Sequence, residues 1–236
     1  MLHNFRIIVL HTIKYKESGI VVQGYSDRNG RESFFLKRGK RSSILSQLHP
    51  LSIIEATPST FSFGNMTTIK EFVLPSRLES IRSNIFKSSI AIFISELISK
   101  TIREEEYNAD MFFFLNKAIT ELEVIGDGLS NFHLYFTVML CKYLGYLPEI
   151  KNIPDGYLFD IPSATFTSAA GELSFNSKNS AILALLAQTT YDKIAVFKMS
   201  GEGRGEFIRD MLRYLSFHTG HGIEIESLDV LHEVFG

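Results

Sequence analysis

A single cysteine, Cys141, stands in a chain of 236 residues. It has no partner within the chain, which excludes a disulfide-stapled secreted mini-protein, and a zinc ribbon or finger would need several thiolates. Long apolar runs are missing as well. None reaches the roughly 18 residues that a membrane span requires, and the uncharged stretch near the middle, Gly128 to Cys141, carries Ser130, Asn131 and His133. Lys14 closes the apolar run Ile7 to Ile13 too early for a signal peptide. Excess charge is also scarce: 24 Lys and Arg face 26 Asp and Glu, a net −2, and 45% of residues are hydrophobic. A disordered acidic chain would be poorer in apolar residues and more lopsided. The expectation is a soluble, cytoplasmic protein of a reducing compartment, with one large or two small cores.

The near-zero mean conceals an asymmetry. Residues 1–75 carry ten basic and five acidic side chains, a balance of +5, and residues 76–236 carry the compensating −7. Such a split predicts two domains with different partners. The positive charge is concentrated: Lys37, Arg38, Lys40 and Arg41 surround Gly39. A lone cluster of this kind reads equally well as a solvated loop.

Residues 1–75 read as strands. Phe5 to Ile13 is rich in Ile and Val, and Gly19 to Tyr25 alternates between apolar and small or polar residues. Asp27-Arg28-Asn29-Gly30 is a turn signal, and Glu32 to Leu36 resumes as a strand. Leu51 to Ala56 and a stretch within Thr60 to Leu74 supply two more. Five short strands predict a small closed barrel, of which an OB-type barrel is one solution, since a short sheet must bury its apolar face and protect its edges. Such barrels hold single-stranded nucleic acid with a basic groove and stacking aromatics. Lys14, Lys16, Arg31, Lys37, Arg38, Lys40 and Arg41 are the candidate groove; Tyr15, Tyr25, Phe34 and Phe35 are interleaved with it. At least one of the adjacent Phe34 and Phe35 belongs in the core, because neighbouring strand residues face opposite sides.

Residues 76–236 read mostly as helices, giving an α+β chain: an OB-fold barrel followed by a mostly α-helical domain. Ile90, Ile94, Leu97, Ile98 and Thr101 follow helical spacing after a start at Asn84, and Met111, Leu115, Ala118, Ile119 and Leu122 repeat it before Gly126. Ser130 is a candidate N-cap for a helix through Leu144, ended by Gly145. Residues 146–177, with Pro148, Pro154, Pro162, Gly156 and Gly171, read as an irregular insertion with short extended pieces. Lys178 to Gln188, Glu202 to Phe217 and Ser227 to Phe235 are helical again.

Signs of chemistry are sparse. Ile194 to Met199, followed by Gly201-Glu202-Gly203-Arg204-Gly205, mimics the strand and glycine loop that hold phosphate. The P-loop Lys-Ser/Thr pair is absent, and Glu202 and Glu206 would repel phosphate, so a glycine-rich connection is favoured. His218, His221 and Glu224 could form a metal trio, but beside Gly220 and Gly222 they read first as a polar turn. Cys141 follows the apolar pattern of its helix and is expected to be buried. No nucleophile, base and orienting group assemble from motifs. The expectation is a non-enzyme without cofactor or metal.

The order of segments resembles the RecO family of bacterial recombination mediators. Val9-Leu10-His11-Thr12-Ile13-Lys14-Tyr15-Lys16-Glu17-Ser18 resembles that family's first strand and turn. Asn29-Gly30-Arg31, with Phe35 to Ser42, resembles its strand ending in a basic glycine turn, and Leu48-His49-Pro50-Leu51 its approach to the fourth strand. Ile94-Ser95-Glu96-Leu97 and Phe136 through Leu144-Gly145-Tyr146-Leu147-Pro148 are similar to its central helices, and Ser227-Leu228-Asp229-Val230-Leu231 to its last helix.

The resemblance implies an OB-fold DNA-binding domain at 1–75 and a helical domain at 76–236. It implies binding of single- and double-stranded DNA, annealing of complementary strands, and help in loading recombinase RecA onto strands covered by single-stranded-DNA-binding protein. The implied partners are RecR and the acidic, apolar tail of the single-stranded-DNA-binding protein; Phe136, Leu140 and Lys142 are the candidates for holding that tail. Two departures stand out. Some relatives carry a four-cysteine zinc module where residues 146–177 have no cysteine, so this degenerate counterpart must be held by packing and hydrogen bonds. Thr137 stands where relatives often have an acidic residue. A protein-interaction module without DNA binding, and a nucleotide-dependent enzyme using Gly201–Gly205, remain the competing readings.

Overall fold

The computed structural model describes residues 3–16, 19–37, 44–103, 107–151, 153–169 and 171–235. Arg38, Lys40 and Arg41 therefore lie outside the described residues. The chain divides into two compact units, Met1–Val124 and Ile125–Gly236.

The first unit is built on a five-stranded closed barrel: β1 (Phe5–Tyr15), β2 (Gly19–Ser26), β3 (Gly30–Lys37), β4 (Ile53–Phe63) and β5 (Met66–Val73), in the spatial order β1-β2-β3-β5-β4. The β3–β5 pairing is parallel, the others antiparallel, and β1 closes on β4. This is the OB-type barrel expected from the strand pattern. Alternation sends Phe5, Ile7, Val9, Ile20, Val22, Phe34, Leu36, Ile54, Ala56 and Ile69 into one interior core. Sequence reasoning ended β4 at Ala56; it runs on to Phe63, so the β4–β5 hairpin turns at Gly64 and Asn65, with Gly64 at φ +59°.

Three helices pack on one side of this barrel: α1 (Glu79–Ser83), α2 (Ile85–Thr101) and α3 (Ala109–Val124). Asn84 caps α2, its side chain accepting from the N–H of Phe86 and Lys87. The Ser95 hydroxyl donates to the Leu10 carbonyl, and Tyr25 stacks on Phe112 at 6.5 Å. This cover explains why Ile8 and Leu10, on the outer face of β1, are as buried as the interior residues. Past a register shift between Val9 and His11, β1 leaves the helices and its remaining residues are half-buried or exposed.

The short α1 is absent from the sequence reading. The Glu123 carboxylate, from α3, accepts the N–H of Ser80 at 2.8 Å and of Ile81 at 2.9 Å, satisfying donors that five residues cannot satisfy themselves. Lys87, buried beneath, donates to the Glu123 carbonyl at 2.6 Å; burial lowers its pKa, and the Glu123 charge opposes that shift.

The second unit holds α4 (Phe132–Tyr143), a two-stranded hairpin of β6 (Leu158–Asp160) and β7 (Thr165–Thr167), α5 (Ser177–Ala187), α6 (Gly201–Thr219) and α7 (Ser227–Phe235). The cysteine-free segment 146–177 is anchored by Phe159, whose ring packs against Phe166, Phe175 and Tyr214 at 5.1–5.3 Å. The Tyr214 hydroxyl donates to the Tyr146 carbonyl, and His218 Nε2 lies 2.8 Å from the Ile161 carbonyl oxygen.

Three local expectations are corrected here. Ser130 does not cap α4. Residues Leu129–Asn131 form a 3-10 turn, and the Asn131 side chain donates instead to the carbonyls of Ile194 and Phe197. Ile194 to Met199 is not a strand, because Tyr191–Val196 is a 3-10 turn. Gly201–Gly205 is not a loop either. These glycines begin α6 behind a Ser200 cap, with Ser200 Oγ accepting from Gly203 N at 3.1 Å.

Candidate nucleic-acid interface

Where β1 runs clear of the helices, the barrel presents an open rim. Tyr15 ends β1 opposite Gly19 of β2, which pairs with Lys37 of β3. Two residues along, Val21 pairs with Phe35, and Phe35 with Thr68 of β5. Alternation therefore puts Tyr15, Phe35 and Lys37 on the outer face, while Phe34 is fully buried inside. Phe63, from the far end of β4, joins them. Its ring lies 4.2 Å from that of Phe35 at an interplanar angle of 17°, and Tyr15 meets both edge-on at 6.3 and 5.4 Å. Gly19 permits the arrangement, since a Cβ there would come within 2.6 Å of the Phe35 ring.

Cations flank this aromatic cluster. Lys16 adopts φ +50°, turning the chain out of β1, and its ammonium sits 5.4 Å from the Tyr15 ring centroid. Lys37 is exposed beside Gly19, and Lys14 is exposed on the opposite side of β1, at the barrel mouth. None of the three forms an ion pair among the described residues. The basic run Arg38, Lys40 and Arg41 follows Lys37 directly in sequence.

The arginines at the other end of the barrel are engaged elsewhere. Arg6 pairs with Asp27 at 3.0 Å and lies over Phe112; Arg28 reaches Glu32 and Thr67 and lies 4.0 Å over Phe5. Arg31, also named for the groove, lies towards this end of β3. It sits opposite Tyr25, six residues and about 20 Å along β3 from Lys37, and donates Nη1 to the Ile102 carbonyl oxygen at 3.1 Å. Tyr25 and Phe34 are likewise buried and unavailable for stacking. Conversely, sequence reasoning missed Phe61 and Phe63, the former 79% exposed. The signal was present: two aromatics alternating with Ser62, immediately before the turn residues Gly64 and Asn65.

The residues expected to hold a partner's tail divide differently. Phe136 and Leu140 have no exposed surface, and Lys142 alone faces solvent. The reason is that α4 is apolar around its whole circumference and lies at the centre of the second unit. Thr137 is also buried, its hydroxyl donating to the His133 carbonyl at 2.8 Å. His218 and His221 lie against the carbonyls of Ile161 and Thr219, and among the described residues no three His, Cys, Asp or Glu side chains gather as metal ligands. Cys141 is a buried free thiol whose pKa is raised by burial. Among the described residues no helix is long and apolar enough to cross a membrane.

Residues 1–74 match the family model for the recombination protein O N terminal, and residues 82–224 match the one for the recombination protein O C terminal. The chain belongs to the RecO family. Relatives named DNA repair protein RecO match along nearly their whole length. That of Azobacteroides pseudotrichonymphae genomovar. CFP2 is 31% identical over 240 residues, covering 100% of each chain. That of Bacteroides fragilis is 32% identical over 234 residues and 97% of each, and that of Flavobacterium johnsoniae 30% over 235 residues and 98% of each. The rim thus lies in the RecO N-terminal region, and the buried α4 in the C-terminal one.

Proposed function

We propose that the barrel rim binds the sugar-phosphate backbone of single- and double-stranded DNA, and that the protein acts as a non-enzymatic recombination mediator. One observation carries this reading: Lys14, Lys16 and Lys37 stand exposed around the same rim without a carboxylate partner among the described residues, whereas Arg6 and Arg28 at the other end are bound to carboxylates. Phosphates recruited there release counterions, and backbone contacts carry no sequence information. A strand held by its backbone keeps its pairing edges available, which supports annealing. Tethering to RecR and to the acidic tail of single-stranded-DNA-binding protein, with Lys142 supplying a cation, would deliver the barrel to covered strands so that recombinase RecA can load. Nothing in this scheme requires nucleotide hydrolysis, and it places the protein in the cytoplasm at the nucleoid.

The test is fluorescence anisotropy with labelled single-stranded and duplex oligonucleotides. Replacing Lys14, Lys16 and Lys37 together with Gln should weaken binding to both. Undiminished binding moves the interface elsewhere, and no retention of DNA by the wild-type protein at low salt leaves a protein-interaction module instead.

A further inference from the structure

We infer that a cavity between α6 and α7 is a binding site for one small monovalent anion of the halide class, and that this anion ties α7 to α6. The cavity lies wholly within the second unit, away from the barrel. Arg204, Gly205 and Ile208 of α6, Leu231 and His232 of α7, and His133 of α4 line it. It leaves about 10 Å³ for the centre of a water-sized occupant, which suits a water or a single halide ion and excludes an organic ligand.

The lining is cationic and rich in donors. Arg204 donates Nη1 to the Met199 carbonyl at 2.7 Å and Nη2 to the Phe235 carbonyl at 3.2 Å, so both ends of its fork are fixed on neutral oxygens. It forms no ion pair among the described residues, and its Nε is buried without a hydrogen-bond partner. That nitrogen can only donate. His232 Nε2 is buried without a hydrogen-bond partner as well, and a Cβ on Gly205 would come within 2.7 Å of it, so the ring lies over bare backbone of α6. His133 is 2% exposed, and its pKa is held down by burial and then by the Arg204 and His232 charges. Ile208, Leu228, Leu231 and Phe235 bring no side-chain acceptor to the cavity. Glu202 and Glu206 of α6 and Asp229 and Glu233 of α7 are exposed and do not line it.

A guanidinium withdrawn from water without a counter-charge is costly. A water molecule could accept from these donors, but it brings no negative charge and needs acceptors for its own hydrogens. A halide accepts from Arg204 Nε and His232 Nε2 together and supplies the missing charge. Because one donor belongs to α6 and the other to α7, the bound ion bridges the two helices and reinforces the bond from Arg204 to the Phe235 carbonyl.

Two measurements on the full chain test this. Crystals grown without chloride and soaked in bromide should show an anomalous-scattering peak within hydrogen-bonding distance of both Arg204 Nε and His232 Nε2. In solution, the melting temperature should rise with sodium chloride and level off, relative to sodium gluconate at equal ionic strength, because an ion that binds only the folded chain stabilises it by mass action. His232→Leu keeps apolar bulk but lacks the donor, and should lose that chloride-specific rise. No bromide peak at the cavity overturns the inference. So does a peak at crystal concentration with equal melting temperatures in chloride and gluconate, or a His232→Leu variant that keeps the full chloride response. Should His232→Leu fail to fold, the two wild-type measurements decide.

Discussion

Arg31 on β3 donates its Nη1 to the carbonyl oxygen of Ile102, the C-cap residue just after α2. A cation at a helix C-terminus satisfies an orphan carbonyl and complements the helix dipole. Arg31 thus ties a helix to the barrel wall at the end away from Lys37. Arg31→Ala should therefore lower stability by about 1–2 kcal/mol in urea denaturation. The salt dependence of DNA binding should remain as in the wild-type protein; a flatter dependence would return Arg31 to the interface.

The salt slope is the quantitative signature of the rim. If Lys37, Arg38, Lys40 and Arg41 make about four phosphate contacts, the slope of log affinity against log salt on single strands should be near −3, from about −0.7 per contact. Removing all four charges should flatten it. Anisotropy titrations across a salt series read this directly, and an unchanged slope in the fourfold variant would exclude these side chains as phosphate ligands.

The barrel was legible because strand alternation and turn chemistry are local. Val22 and Phe34 face inward by simple parity, and Asn29-Gly30 marks a turn wherever the flanking segments go. The helices were legible where an apolar stripe coincided with a cap, as at Asn84 and α2. What failed was tertiary. Asn131 and Arg31 are polar residues whose partners lie 63 and 71 positions away, and no local pattern announces them. Spacing placed Phe136 and Leu140 on a helix, yet it could not reveal that both would be fully buried in the second unit. Phe61 and Phe63 were overlooked because β4 was ended too early, which hid the hairpin that carries them.

His133 lies in the core of the second unit, and burial together with the nearby Arg204 and His232 charges holds its pKa down to about 3 from the ordinary 6.5. Between those values the unfolded chain binds a proton that the folded chain refuses. The stabilisation from neutral His133 is complete above pH 6.5 and is lost as pH falls toward 3, at up to about 1.4 kcal/mol per pH unit. Asp160, held below its ordinary 3.8 by bonds from Ser163, adds acid sensitivity only under that value. Urea denaturation across this range should show a steep loss of stability in the wild-type protein and a distinctly shallower one in His133→Asn. Parallel profiles would assign the acid lability to other groups.

Gly205 offers a test in which the usual sign is reversed. Gly to Ala inside a helix ordinarily stabilises by up to about 1 kcal/mol. At Gly205 in α6 a Cβ would come within 2.0 Å of His232 Cε1 and 2.7 Å of its Nε2, so the imidazole of α7 must move. That nitrogen is buried without a hydrogen-bond partner in the protein, so among protein groups packing alone places the ring there. Gly205→Ala should destabilise by about 1–3 kcal/mol, as overpacking does. In the His232→Ala background the three atoms nearest that Cβ are gone, and the ordinary helix-favouring sign should return. The double-mutant cycle in thermal or urea denaturation should give a coupling of about 1 kcal/mol or more. Additive effects would mean that α7 yields freely and that the close approach of Gly205 to His232 does not hold it in place.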